Sequence, residues 1–265
     1  MSTGADRHAI FPMWKHMGLE LQSLCNRDCD WCPRQMDKSG IRKTPHGYSV
    51  VQEMPTDKVH CILDQVYALG FRGPIHFHSL SEPLLDARYL AIATHAHVQG
   101  FLIEENTNGD ILRLNTQLRK QLDGVVDLFN IGLYDCKTEA EESTLMDWWR
   151  SAFTKSIVTF SRMSLGSPRT RQNSLLYNIR SKDQRVLEYP CFSPQYQLLI
   201  RYDGEVALCC EDDTSELSLG NAFREPIEDI WWSQRRIDVA LTLRKSGSRK
   251  AYPLCKNCYV FFGWD

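Results

Sequence analysis

The sequence predicts an α/β protein built as a partial, TIM-like (β/α) barrel, followed by a small C-terminal domain that holds metal. Short apolar segments alternate with helical patterns over residues 16–160, as parallel strands with crossover helices require. These units are too few for eight, so we expect the barrel to be open. Five of the ten cysteines fall between Cys191 and Cys258, beyond this alternating region.

The amino-acid composition limits the classes to which this protein can belong. A chain of 265 residues, 43% hydrophobic and 24% charged, fits a globular protein with one large and one small domain. The formal net charge of -2 argues against nucleic-acid and membrane binding. We find no apolar run of signal-peptide or membrane-spanning length, which predicts a cytoplasmic protein. There, ten cysteines favour reduced thiolates and metal over disulfides.

The predicted elements follow in chain order. The first half consists of a strand over 16–22, a polar loop over 37–52, a helix over 55–70, a strand over 73–80 and a helix to about 98. The second half consists of a strand over 101–105, a helix over 111–122, a strand over 125–133, a helix over 139–149 and a last strand over 156–160. Polar turns with Ser, Asn and Glu follow the strands that end near 80 and 105. We therefore expect a ligand at the carboxyl ends of these strands.

The first group of cysteines is Cys25, Cys29 and Cys32, directly after the first predicted strand. Three cysteines within eight positions are too close for a disulfide network and suit thiolates that converge on one metal centre. No fourth cysteine follows until Cys61, so one metal position stays open to a ligand. A three-cysteine zinc site completed by a distant histidine is the alternative.

The second group is Cys191, Cys209, Cys255 and Cys258. Asp203-Gly204 predicts a two-residue hairpin turn between strands over 196–202 and 205–208, which would carry Cys209 back towards Cys191. Four thiolates that meet in this way form a closed site, for which zinc and a 4Fe-4S cluster are both suitable.

The first motif, with Trp31 before its third cysteine, resembles the radical S-adenosylmethionine enzymes. The resemblance implies a 4Fe-4S cluster on the three thiolates, whose open iron chelates S-adenosylmethionine, and a backbone contact to adenine near Trp31. Ser81-Glu82-Pro83 stands where the family has Gly-Glu-Pro, a motif that holds the amino group of S-adenosylmethionine. Asn106 precedes the tripeptide Thr107-Asn108-Gly109, and the family commonly has Thr-Asn-Gly at this place, which implies hydrogen bonds from Asn106 and Asn108 to the carboxylate or ribose.

The second motif resembles the twitch domain, a shortened SPASM domain that holds one auxiliary 4Fe-4S cluster. The resemblance includes Leu219-Gly220-Asn221 and Ile230-Trp231 between the cysteines. It implies two 4Fe-4S clusters in all, and an electron donor such as flavodoxin or ferredoxin. We predict a radical S-adenosylmethionine barrel over 1–165, a linker over 166–188 and a twitch domain over 189–265.

These motifs together predict an oxidoreductase that abstracts a hydrogen atom with a 5'-deoxyadenosyl radical. The expected substrate is a small sugar- or cyclitol-like molecule, whose secondary alcohol is oxidised while one electron passes to the auxiliary cluster. The alternatives are an epimerase with a cysteine hydrogen donor, an enzyme that modifies ribosomal peptides, and a non-catalytic metal scaffold.

Two candidate catalytic residues, Asp135 and Cys136, follow the fourth predicted strand. Cys136 is the candidate hydrogen donor of an epimerase, although an inert thiol is the plainer interpretation. Asp135, Arg162 and Arg201 are candidate bases for the hydroxyl proton. His76 and His78, which alternate on the second strand, are expected to be packed histidines rather than ligands.

Overall fold

A computed structural model describes residues 11–27, 29, 32, 52–162, 188–212 and 215–258. Three predictions fall outside these residues, wholly or almost so: the loop over 37–52, the contact near Trp31 and the linker over 166–188.

One sheet organises the described residues. Its strands are β1 (His16–Leu19), β2 (Pro74–His76), β3 (Leu102–Thr107), β4 (Leu128–Leu133), β5 (Ile157–Arg162), β6 (Gln197–Ile200) and β7 (Val206–Ala207). Their order across the sheet is β5-β4-β3-β2-β1-β6-β7. Neighbouring strands are parallel except β6 and β7. Because parallel neighbours require crossover connections, this sheet confirms the predicted α/β partial barrel.

Helices supply those connections. In the barrel they are α1 (Thr56–Ala68), α2 (Tyr89–Val98), α3 (Asp110–Leu114), α4 (Thr116–Leu122) and α5 (Glu139–Ala152). The C-terminal segment adds α6 (Ser193–Tyr196), α7 (Ile227–Trp231) and α8 (Gln234–Leu243). Short 3-10 turns lie at Pro83–Leu85, Ser248–Ala251 and Cys255–Asn257. Within the described ranges, no helix has the length and apolar character needed to cross a membrane.

The first helix shows how the sequence pattern builds these elements. Val59, Ile62, Leu63 and Val66 recur at helical spacing on α1, and all four are buried. Gly70 ends the helix with a left-handed φ of +89°, which glycine adopts without steric strain. The predicted helix and its end are both confirmed.

The helix predicted over 111–122 is wrong in one respect, because it is two helices. Asn115 has φ -111° and ψ 88°, which breaks the helical path between α3 and α4. Its side chain accepts a hydrogen bond of 3.0 Å from the backbone N of Leu118 and so caps α4. Asparagine competes for backbone hydrogen bonds in this way more readily than it continues a helix.

The hairpin between β6 and β7 also differs from its prediction. Gly204 N donates to the Arg201 carbonyl at 2.8 Å, and Arg201 N donates to the Glu205 carbonyl at 2.9 Å. The loop between Arg201 and Glu205 is therefore three residues rather than two, with Gly204 at φ +84°. Since β6 pairs with β1 and β7 pairs with β6, the hairpin places the segment with Cys209 at the edge of the sheet, one strand away from β1.

Aromatic residues fasten the C-terminal helices to the start of the described chain. The indole N of Trp231 donates to the Pro12 carbonyl at 3.0 Å, and that of Trp232 donates to the Phe11 carbonyl at 2.8 Å. Trp14 packs edge-on against Trp231 with ring centroids 5.0 Å apart. These buried rings join the barrel and the C-terminal segment into one hydrophobic core.

Candidate active site and cysteine clusters

The loop after β1 brings the first cysteines to the carboxyl ends of the strands. Cys25, Cys29 and Cys32 all line one cleft of about 780 Å³, its open mouth included. Cys32 N donates to the Cys29 carbonyl at 2.8 Å, which closes a tight turn between these two thiols. The three predicted ligands therefore share one cavity.

Arg27 anchors this loop to the strands opposite. Its guanidinium bonds Asp110 through Nη2 at 2.6 Å and Nε at 2.8 Å, and bonds Asp135 through Nη1 at 2.9 Å. The Asn108 amide adds a hydrogen bond of 2.8 Å to Asn26. Such two-point guanidinium–carboxylate pairs fix orientation as well as distance, so the cysteine loop is held against the ends of β3 and β4.

Glu82 lines the cleft and is nearly inaccessible to solvent. Its carboxylate accepts hydrogen bonds from Thr107 Oγ1 at 2.7 Å, Asn108 N at 2.8 Å and Leu84 N at 3.3 Å. Burial raises the pKa of this carboxyl to about 7, although the three hydrogen bonds oppose the rise. In the free chain Glu82 thus fixes the turn after β3, next to the cleft.

Ser81 stands where the resemblance places glycine, and it lines the same cleft. Its Oγ is buried and has no hydrogen-bond partner among the described residues. A buried polar atom without a partner costs free energy unless a ligand supplies one. A polar ligand in the cleft would satisfy it.

The two predicted asparagines lie differently. Asn108 is the turn residue, whose Oδ1 accepts a hydrogen bond from Asp110 N at 3.0 Å. Asn106 belongs to a chain of side chains that runs across the cleft, bonded to His78 through Nδ2 at 2.9 Å and to Asn130 through Oδ1 at 2.5 Å. Asn130 continues the chain to Ser161 at 3.0 Å.

This chain begins at a buried carboxylate that the sequence analysis missed. Glu105 Oε1 lies 2.5 Å from His78 Nδ1, while Oε2 accepts hydrogen bonds from Phe77 N at 2.9 Å and Tyr89 OH at 3.1 Å. Burial raises the pKa of Glu105 to about 8. The signal in the sequence was the alternation along β3, which puts Glu105 on the same buried face as Ile103.

The side chains that line the cleft are of the types that bind an iron-sulfur cluster and S-adenosylmethionine. It combines three thiols, an unpartnered buried hydroxyl and asparagine side chains. Tyr134 adds a hydrogen bond to Cys29 at the cleft wall. Burial raises the pKa of the Cys29 thiol to about 11, so bound metal is needed to keep it a thiolate at neutral pH.

The second group of cysteines surrounds a separate cavity of about 310 Å³, its opening included. Cys191, Cys209, Cys255 and Cys258 all line it, with Leu208 and Leu243 among the apolar walls. Among the described residues, no three His, Cys, Asp or Glu side chains are close enough to hold a single metal ion. Four thiols around one cavity have the ligand number of a closed metal site, for which zinc and a 4Fe-4S cluster are both suitable.

Arg249 joins the two ends of this site. Only 1% of it is exposed. Its guanidinium donates to the carbonyls of Tyr189 at 3.2 Å, Pro190 at 3.3 Å and Cys258 at 3.3 Å. It also lines the cavity, so a buried positive charge faces four thiols that metal would make anionic.

A third, smaller cavity of about 260 Å³, its opening included, lies between the two cysteine sites. It shares His78 and Ser79 with the first cleft and Cys209 with the second cavity. Arg201 and Asp212 supply charges to its wall. We call this space the intermediate cavity.

The remaining candidates lie elsewhere. Neither Asp135 nor Cys136 is among the described residues that line the cleft. The Asp135 side chain is 78% exposed and paired with Arg27, and Cys136 Sγ is 3.7 Å from the Tyr134 carbonyl. Arg162 pairs with the buried carboxylate of Glu142 at 2.8 Å.

Comparisons with known proteins agree with this arrangement. The sequence pattern of the SPASM family, described as an iron-sulfur cluster-binding domain, matches residues 191–259. The chain is 26% identical over 245 residues to S-adenosyl-L-methionine-dependent 2-deoxy-scyllo-inosamine dehydrogenase from Niallia circulans, an alignment that covers 91% of this chain and 90% of that one.

Solved structures share the fold. The crystal structure of BtrN in complex with AdoMet and 2-DOIA superposes with a TM-score of 0.73 at 23% identity, and covers 94% of both chains. Native anSMEcpe with bound AdoMet superposes with a TM-score of 0.57 at 12% identity, and covers 92% of this chain and 87% of that one. With the two cysteine motifs, these findings make the chain similar to the radical S-adenosylmethionine enzymes and to 2-deoxy-scyllo-inosamine dehydrogenase, with a SPASM-type iron-sulfur domain matched at residues 191–259.

Proposed function

We propose that this enzyme oxidises a secondary alcohol of a small sugar- or cyclitol-like substrate to a ketone, and that one electron leaves to an auxiliary cluster. One observation carries the proposal: the intermediate cavity has walls in common with both cysteine sites. A substrate there would lie between the place where a hydrogen atom is removed and the place where an electron is accepted. The similarity to a cyclitol dehydrogenase over nine-tenths of the chain supports this substrate class.

We propose that Cys25, Cys29 and Cys32 hold one 4Fe-4S cluster and that Cys191, Cys209, Cys255 and Cys258 hold the other. When bound, S-adenosylmethionine and the first cluster supply a 5'-deoxyadenosyl radical, and the second cluster supplies an electron acceptor. Four protein thiolates leave no iron position open, which suits electron transfer rather than substrate binding. A small electron-transfer protein such as flavodoxin or ferredoxin would reduce the first cluster.

The cleft residues would bind and orient S-adenosylmethionine. Ser81 offers its unpartnered hydroxyl and Asn108 its amide, both at the cleft wall. Glu82 would position Asn108, since its carboxylate accepts a hydrogen bond from the Asn108 backbone N. Asn106 would contact the ligand from the chain that ends at Ser161, and the backbone near Trp31 would contact adenine.

The domain division at 1–165, 166–188 and 189–265 completes the proposal. The SPASM match from residue 191 supports the second boundary. Because β6 pairs with β1, the two domains would share one sheet, which holds the auxiliary site at a fixed distance from the cleft.

The epimerase alternative requires a hydrogen donor that faces the substrate. Cys136 is its candidate, yet this residue is not among the described residues that line either the cleft or the intermediate cavity. We therefore favour oxidation.

Iron content tests the cofactor proposal. After anaerobic reconstitution we expect about eight irons and eight sulfides per wild-type chain, and about four in a C25A/C29A/C32A variant, because each four-iron cluster depends on its own thiolates. About four irons in the wild type, falling to none in the variant, would contradict an auxiliary cluster.

Product analysis tests the reaction. With S-adenosylmethionine, a reductant and 2-deoxy-scyllo-inosamine as probe, we expect one ketone for each 5'-deoxyadenosine formed. An alcohol that is recovered with solvent deuterium on carbon would instead establish epimerisation. In that case loss of the solvent deuterium in C136A would identify the donor.

A further inference from the structure

Oxidation of an alcohol releases a proton as well as a hydrogen atom and an electron, and the proton needs a base. His78 is the titratable side chain that lies on the wall shared by the cleft and the intermediate cavity. Its side chain is 14% exposed, so the imidazole is largely buried yet reaches both spaces.

The partners of His78 prepare one ring nitrogen to accept a proton. Glu105 Oε1 lies 2.5 Å from Nδ1, and a carboxylate there accepts the Nδ1 proton. Nε2 is then the unprotonated nitrogen, which accepts the 2.9 Å hydrogen bond from the Asn106 amide. A histidine oriented by a carboxylate in this way is the usual design of a general base, because the carboxylate stabilises the imidazolium that forms.

The other candidate bases are poorly placed or chemically unsuited. Asp135 is exposed and paired with Arg27. Arg162 is already paired with Glu142, and Arg201 lies 3.8 Å from the buried Glu20 carboxylate. Arginine side chains stay protonated at physiological pH and cannot accept a further proton.

The groups around His78 allow it to become positively charged. Glu105 on β3 is the carboxyl group in contact with Nδ1, and an imidazolium at His78 would favour its charged form against the burial that raises its pKa. His76 on β2 stacks at 4.4 Å between ring centroids, and burial holds the pKa of His76 well below its usual value, so it stays neutral. The titratable and charged groups of the two shared cavities are Arg201, Cys209, Cys210 and Asp212 on one side and Cys25, Arg27, Cys29, Cys32, Glu82 and Tyr134 on the other.

We propose that His78 is the catalytic base of this dehydrogenase and that Glu105 is its positioning residue, an inference that rests on the proposed function. The substrate hydroxyl replaces the Asn106 amide at Nε2. The carbinol hydrogen leaves as an atom to the 5'-deoxyadenosyl radical, and the hydroxyl proton moves to Nε2. The C–O bond becomes C=O, and the remaining electron leaves to the four-thiolate iron-sulfur cluster.

The test separates hydrogen abstraction from product formation. With the probe deuterated at its carbinol carbons, H78A is expected to transfer deuterium into 5'-deoxyadenosine as the wild type does. The yield of ketone per 5'-deoxyadenosine falls by about 100-fold, the low end of the effect of a general base. Added imidazole restores ketone in H78A, because it supplies a base in the space left by the side chain. E105Q keeps a hydrogen-bond acceptor for His78 Nδ1 but removes the carboxylate charge. Its yield of ketone per 5'-deoxyadenosine is expected to lie between those of the wild type and H78A.

His97→Gln is the control, because His97 lies on α2 and lines neither the cleft nor the intermediate cavity, and it is expected to keep the wild-type ratio of ketone to 5'-deoxyadenosine. Iron content shows that each variant retains both clusters. Full ketone yield in H78A, or a loss that imidazole does not repair, overturns the role of His78 while the dehydrogenase stands. If the wild type cleaves S-adenosylmethionine without oxidising the probe, the proposed function is overturned, and so is the role of His78 as its base.

Discussion

Replacement of Arg249 by methionine is expected to remove the iron of the C-terminal site while the first cluster remains, leaving about four irons per chain after anaerobic reconstitution. Methionine keeps much of the buried volume but donates no hydrogen bond. Three carbonyls, those of Tyr189, Pro190 and Cys258, then lose their donor. Loss of these charge-assisted hydrogen bonds is expected to destabilise the segments that carry Cys191 and Cys258 by about 3 kcal/mol of folding free energy.

Charge adds to this effect. A four-iron cluster on four thiolates is anionic, and Arg249 is a buried cation that lines its cavity. In a buried site of low dielectric constant, the attraction between the Arg249 cation and the anionic cluster is strong. Removal of Arg249 therefore leaves the negative charge of the cluster uncompensated. R249K should therefore retain more iron than R249M, since lysine keeps the charge and loses only the three-way geometry.

Lys250→Met is the matched control, because Lys250 is the next residue and pairs with Glu188 in an exposed salt bridge. Surface pairs of this kind contribute little to stability, so K250M should retain about eight irons. If R249M also retains about eight, with an unchanged visible spectrum, then Arg249 neither fastens nor neutralises the auxiliary site.

The sequence predicts most of this fold because its signals are local. Strand and helix positions depend on periodicities of a few residues, as on α1, and each cysteine group contains ligands that are near neighbours in the chain. The two errors, at Asn115 and in the hairpin before Glu205, are both choices of backbone conformation at one or two polar residues. Such choices depend on capping bonds that a periodic pattern does not encode.

The pairing of Glu105 with His78 could not be predicted in the same way. Glu105 lies on β3 and His78 lies just after the end of β2, 27 residues away in the sequence, so their contact depends on the register between β2 and β3. Asn130 and Ser161 join the chain only because β4 and β5 are also in register. A shift of one residue in either pair would turn these side chains to the opposite face of the sheet.

Removal of the Glu82 charge is the second large expected effect, and its sign follows from the pKa. Burial raises the pKa of Glu82 from 4.5 to about 7 in the folded chain. The folded chain therefore binds a proton that the unfolded chain has lost, and this contribution is complete below pH 4.5 and lost as the pH rises through about 7. The difference corresponds to about 3 kcal/mol of unfolding free energy.

Glu82→Gln is expected to stay neutral at every pH and so to remove the share of the decline that Glu82 causes, while Glu105, whose pKa burial raises to about 8, keeps its own share. The midpoint of thermal unfolding of E82Q should therefore fall by several degrees less than that of the wild type between pH 5 and pH 7.5, a difference that differential scanning calorimetry of the full chain can measure. Glu82→Leu is the companion variant, since leucine leaves Thr107 Oγ1 and Asn108 N without their acceptor and should be less stable than the wild type at both values. If E82Q keeps the wild-type decline, another group causes it, with Glu105 the first candidate because burial raises its pKa to about 8. If instead the decline becomes smaller, the buried Glu82 carboxyl lowers stability near neutral pH at the cleft wall, where a bound cationic amino group would favour the charged carboxylate and restore that stability.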